Sequence, residues 1–156
     1  MSTDQHLDYA AAAPEPYRAM LALTRSVKRS GLDERLLDLV FLRCSQINGC
    51  AFCLDMHGAA LREAGESPAR LDMVVGWREA GPAFTPKERA ALALAEAVTK
   101  VAEAGLPDAA FAEARGHFGE AGTANLVFAA AAINAWNRLA VAFRATPLSL
   151  RGRDAA

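Results

Sequence analysis

Apolar positions recur along this chain at three- and four-residue spacing and do not alternate one by one. That is the period of helices packed through one face, and it predicts no sheet. Punctuation residues divide the pattern into about seven segments. An amphipathic stretch follows Pro14 and Pro16, runs to about Ser30 and stops at Gly31. Asp33 is placed to cap a helix from Glu34 to about Ile47, whose apolar stripe includes Leu36, Leu37, Val40 and Phe41. Asn48-Gly49 breaks it, and a third helix is expected from Cys50 to Ala64 with Gly65 just past its end. Ser67-Pro68 restarts a helix to about Glu79, and Gly81-Pro82 ends it. Thr85-Pro86-Lys87-Glu88 has the form of a capping box and opens a helix to about Glu103. A short helix from Asp108 to Phe118 and a long one from Thr123 to Ala145, stopped by Pro147, complete the chain. The predicted fold class is all-α, a compact bundle of about six to eight helices. It forms one domain over 14–147, between terminal tails at 1–13 and 148–156.

Composition agrees with the pattern. Alanine makes up more than a fifth of the 156 residues, so the 53% hydrophobic content reflects helix formers with small side chains. Such a chain is too apolar and too nearly neutral for disorder, and three cysteines are too few for a disulfide scaffold. A net charge of −1 offers no footprint for nucleic acid. The longest uncharged run, Ala121 to Asn137, contains three Asn and is too polar and short for a membrane span. The stretch Met1 to Ala13 has no Lys or Arg and no apolar core like that of a secretion signal. The expected compartment is therefore the cytoplasm, where thiols stay reduced unless they are catalytic or bind metal.

Candidate chemistry is concentrated around two of the cysteines. On a helix, Cys50, Cys53 and His57 are three and four residues apart and share one face. Cys50 is expected in the first turn, where free N–H groups and the helix dipole favour a thiolate. His57 is within reach of the Cys53 sulfur for proton exchange. Reduction of a peroxide needs an attacking thiolate, a proton for the leaving oxygen and a second thiol to resolve the sulfenic acid. Zinc would need a fourth ligand, and no second C-x-x-C or H-x-x-x-H exists, so neither metal nor cofactor is predicted. A thioredoxin-type site would sit in a βαβ setting, which is absent, while an inert buried pair would not call for His57. Cys44 reads as a core residue, as do Met20, Met56 and Met73. Trp77 and Trp136 read as core or interface anchors, Arg43 and Arg138 as structural cations, and Glu96 as exposed or near the site.

The run from Leu37 to His57, with Ser45-Gln46-Ile47-Asn48-Gly49-Cys50-Ala51-Phe52-Cys53 and Met56-His57, resembles the AhpD-like alkylhydroperoxidase family of the carboxymuconolactone decarboxylase superfamily. So do Trp77 to Ala80, Phe84 to Thr99 and Ile133 to Ala140, and the likeness covers roughly 14–147. The resemblance implies an all-helical, oligomeric fold, commonly a trimer or hexamer. It makes Cys53 the peroxidatic thiol and Cys50 its disulfide partner, with His57 in a proton relay. The relay's acid, usually Glu in the family, falls at Asp38, which is one methylene shorter; a His sometimes found between the cysteines is replaced by Phe52. The implied partners are a peroxide substrate, an external dithiol protein or small thiol as reductant, and further copies of the chain, with no nucleic acid or membrane. Two alternatives stand beside this thiol peroxidase: a lyase acting on a small lactone with His57 as base, and a non-catalytic redox-sensing oligomer. The C-x-x-C pair, absent from the plain decarboxylase branch, favours the redox branch.

Overall fold

The computed structural model describes residues 5–151. It has eight α-helices and no strand among them: α1 (Tyr9–Ala12), α2 (Pro14–Lys28), α3 (Glu34–Asn48), α4 (Ala51–Glu63), α5 (Pro68–Met73), α6 (Pro86–Thr99), α7 (Val101–Ala104) and α8 (Asp108–Ala142). The caps read from the sequence are formed. Asp33 accepts from Leu36 N–H, Ser67 from Arg70 N–H, and Thr85 and Glu88 close a reciprocal capping box. Gly65, at φ 90°, ends α4, with its own N–H on Arg62 C=O and that of Glu66 on Leu61 C=O.

α3 is the central element and packs against α4, α6 and α8. Leu37, Val40, Phe41 and Cys44 join one apolar cluster with Ala91, Leu94, Ala129, Ala130 and Ile133. Leu39 and Leu42 join a second with Leu61, Val74, Trp77, Phe84 and Leu92. Each fully buried leucine stabilises the fold by about 1.5–3 kcal/mol. The alanines at 90, 91, 129 and 130 are buried, and small side chains there suit the close packing of α6 on α8.

Several boundaries differ from those expected. The segment after Ser67 is α-helical only to Met73; Val74–Gly76 forms a 3₁₀ turn, consistent with two β-branched residues and a glycine. The helix opened by Thr85 breaks at Lys100 before the single turn of α7. The two expected C-terminal helices are the halves of α8, broken at Gly119 (φ 66°, ψ −176°), a conformation open only to glycine. α8 ends at Ala142, three residues early: Arg144 takes φ 51° and Ala145 N–H bonds Ala140 C=O.

Parts of both stretches set apart as tails are ordered against the bundle. Asp8 caps α1, His6 N–H bonds Phe143 C=O at 3.0 Å, and Tyr9 stacks on Phe143 with ring centroids 5.0 Å apart. Leu148–Leu150 forms a 3₁₀ turn, and Ser149 N–H donates to Asp55 Oδ2 at 2.8 Å. No helix is long and apolar enough to cross a membrane among the described residues.

Candidate active site

The site is built on the α3–α4 hairpin. Gly49 takes the left-handed conformation (φ 65°) that α3 needs to end, and Cys50 N–H then bonds Ser45 C=O at 3.1 Å. Cys50 does not enter the first turn. It is the N-cap of α4, and its sulfur accepts the N–H of Cys53 at 3.3 Å. Cys50 and Cys53 are joined as a disulfide with Cα atoms 5.4 Å apart, and each residue is about 1% exposed.

One turn beyond Cys53, the buried His57 meets Asp38 of α3, with Nδ1 2.9 Å from Asp38 Oδ1. A carboxylate only accepts, so Nδ1 carries the proton and Nε2 presents a lone pair. His57 Nε2 is buried and has no hydrogen-bond partner. The Phe41 ring lies 5.0 Å from the imidazole, centroid to centroid.

Cys53, His57 and Asp38 all line one cavity of about 360 Å³, whereas Cys50 does not. Its walls come from one face of α2 (Tyr17, Leu21, Thr24), from Phe41, Phe52 and Met56, from Ile133 and Trp136 of α8, and from Tyr9. Trp136, expected as a core or interface anchor, is thus a cavity wall; its Nε1 donates to Thr24 Oγ1 at 2.8 Å. Trp77 is core, 3% exposed. Met56 faces the cavity, and Met73 is 39% exposed and not core. Cys44 is core as expected, and burial pushes its thiol up to about 11.

The partners in two polar networks, the first of them beside the site, escaped sequence reasoning. In the first, Asn48 Nδ2 donates to Asn134 Oδ1 (2.8 Å) and Asn137 Oδ1 (2.9 Å). Asn137 Nδ2 donates to Ser45 Oγ at 3.0 Å, and that hydroxyl donates to Phe41 C=O at 2.7 Å. The ladder pins the residues just before Cys50 to α8. Its signal was available: two Asn three residues apart in an alanine-rich helix are costly to bury unless paired. In the second, Glu96 accepts from Trp77 Nε1 (2.9 Å), Arg43 Nε (2.6 Å) and Arg78 Nη2 (2.5 Å). Burial raises the Glu96 pKa, but these three donors outweigh it and hold the carboxyl below its ordinary value. Arg43 and Arg138 are structural here, Arg138 through Asn134 C=O at 2.9 Å. No group of three or more His, Cys, Asp or Glu that could hold a metal occurs among the described residues.

An all-helical bundle with a buried C-x-x-C pair on a helical hairpin defines a known class. Residues 14–97 match the carboxymuconolactone decarboxylase family, and the chain belongs to it. Within that superfamily it is AhpD-like. A protein of unknown function from Agrobacterium tumefaciens, for which an AhpD antioxidant-defence role has been suggested, superposes with a TM-score of 0.88 at 44% identity. That match covers 92% of this chain and 98% of the other. The alkylhydroperoxidase AhpD core of a peroxidase-related protein from Ralstonia eutropha JMP134 gives a TM-score of 0.75 at 27% identity, over 88% and 73% of the two chains. The uncharacterized protein YdfG of Bacillus subtilis is 35% identical over 88% of this chain and 93% of its own length. The alkyl hydroperoxide reductase AhpD of Azorhizobium caulinodans is 33% identical over 64% of this chain, which spans half of that protein's length.

Proposed function

We propose that this chain is a thiol-dependent peroxidase of the alkylhydroperoxidase type, cycling through the Cys50–Cys53 disulfide. The observation that carries this reading is one cavity lined by Cys53 and by His57, whose free Nε2 is backed by Asp38. His57 Nε2 takes the Cys53 thiol proton, and the thiolate attacks the distal peroxide oxygen. The O–O bond breaks, an alkoxide leaves, and the imidazolium returns the proton to give the alcohol. Cys53 is now a sulfenic acid. The Cys50 thiol displaces its hydroxyl, releasing water and closing the disulfide. An external dithiol reduces the bridge back to two thiols and is itself oxidised. Cys53 is assigned the attack because it faces the cavity and Cys50 does not. The setting proposed is a reducing cytoplasm, and the assembly a homo-oligomer, trimer or hexamer, whose mass light scattering will give.

The test is to mix the reduced protein with tert-butyl hydroperoxide and follow free thiols. Two thiols per chain should disappear in wild type and none in Cys53→Ser. Cys50→Ser should stop at a sulfenic acid that dimedone traps. No loss of thiols in wild type, or an undiminished loss in Cys53→Ser, would sink the reading.

A further inference from the structure

The cavity beside Cys53 has apolar walls and a cation at its edge. Two of its internal polar side chains are committed: Asp38 to His57, and Thr24 as donor to Met20 C=O (3.0 Å) and acceptor from Trp136 (2.8 Å). Lys28, the cation in the wall, faces the exposed Glu34 at 3.4 Å. Arg151 is different. Its guanidinium lies over the Phe52 ring, 5.7 Å from the centroid. It is also close enough to Tyr9 to act on that phenol, whose pKa burial otherwise raises. Phe52 and Tyr9 both line the cavity, so Arg151, itself outside the lining, lies against two residues of its rim.

The chain leading to Arg151 is held in place. Two residues earlier, Ser149 N–H is bound to Asp55 Oδ2 at 2.8 Å, and the contact holds the Asp55 carboxyl below its ordinary value. No carboxylate among the described residues pairs with Arg151. Asp8, the acid that also acts on Tyr9, is engaged in capping α1 through Ala10 N–H and Ala11 N–H, both at 3.1 Å. An arginine fork positioned at the mouth of an apolar cavity matches a carboxylate. An apolar cavity of about 150 Å³ accepts one benzene ring. About 360 Å³ therefore suits a substituted ring or a short branched chain rather than a long lipid.

We infer that this cavity selects a small organic hydroperoxide that carries a carboxylate, its apolar body against Met56 and Trp136 and its carboxylate on Arg151. The inference rests on the peroxidase reading for the chemistry but not for the binding.

The experiment is isothermal titration of the disulfide form with two stable probes, 4-isopropylbenzoate and 4-isopropylbenzamide. The carboxylate should bind about tenfold tighter than the amide, the usual effect of one charge-assisted pair. Arg151→Gln should bring the carboxylate to the level of the amide and leave amide binding unchanged, and Arg151→Lys should restore part of the difference. Equal binding of the two probes, binding of neither, or a carboxylate preference that survives Arg151→Gln would overturn the inference. No peroxide enters this titration. A failure here therefore leaves the thiol-consumption test standing, and a failure there leaves the recognition site standing.

Discussion

Asn137→Leu isolates what the asparagine ladder contributes. The substitution keeps the branching and the number of heavy atoms and removes two hydrogen bonds, from Asn48 Nδ2 (2.9 Å) and to Ser45 Oγ (3.0 Å). The groups left behind are not stranded. Asn48 keeps Asn134 Oδ1 at 2.8 Å, and the Ser45 hydroxyl keeps Phe41 C=O at 2.7 Å. The cost is then two net hydrogen bonds of about 1 kcal/mol each, not the larger penalty of an orphaned polar group. Urea unfolding should report a loss of about 2 kcal/mol. A second effect follows from where the ladder sits. In the reduced protein it holds Asn48 beside Gly49 and Cys50. With one of Asn48's two anchors gone, at most one residue's backbone loosens, and up to about 1–2 kcal/mol of entropy must be lost when the bridge closes. That is about tenfold in the dithiol–disulfide equilibrium, or about 30 mV toward easier reduction for a two-electron couple. The assay is equilibration in glutathione buffers, acid quench, alkylation and mass spectrometry. Lost stability with an unshifted potential would refute the positioning role. Unchanged stability would refute the hydrogen-bond count itself.

Three further expectations follow from the same geometry. Asp38→Asn removes the negative charge behind the imidazole and lets an amide N–H face Nδ1, so the His57 tautomer is no longer fixed; peroxide-driven thiol loss should slow by about 10²–10⁴-fold, with partial recovery in Asp38→Glu, and a wild-type rate in Asp38→Asn would remove Asp38 from the relay. Cys44, with its thiol pushed up to about 11, should resist iodoacetamide at pH 8 in the native reduced protein and react only after denaturation; rapid native labelling would contradict its burial. Glu96 is held below its ordinary value of 4.5, so it releases its proton more readily folded than unfolded. Its contribution is complete above that value and is lost as pH falls through the depressed one. The stability gap between wild type and Glu96→Gln in urea should therefore close in acid, and a gap constant with pH would count against the network.

The legible parts of this protein were those governed by near neighbours in the chain. The caps at Asp33, Ser67 and Thr85 each need one side chain and an N–H three residues on, so they could be read directly. The α3–α4 hairpin followed from Gly49, and the helical period then aligned Cys53 with His57. The details that escaped reading depend on distant contacts. Cys50 is the exception: its place as cap rather than first turn is set five residues back, by its N–H on Ser45 C=O. Trp136 became a cavity wall because α2 presents Tyr17 and Thr24 to it from more than a hundred residues away. The long-range partners of Asn137 lie on α3 and those of Asn134 on α3 and α6, and only packing brings them together. Arg151 reaches the rim because Asp55 captures Ser149, a contact that no local pattern encodes.

Both cysteines are about 1% exposed, and of the two only Cys53 lines the cavity. Under the proposed cycle, oxidant and reductant use the same doorway at different times. For a peroxidase so built, the rate law is ping-pong: double-reciprocal plots run parallel, and product leaves before the second substrate enters. Each substrate in excess also occupies the form of the enzyme that needs the other, so turnover falls at both extremes. Throughput is highest when peroxide load and dithiol supply rise together, and the thiol end of the reductant must be slender enough to pass where an organic hydroperoxide passes.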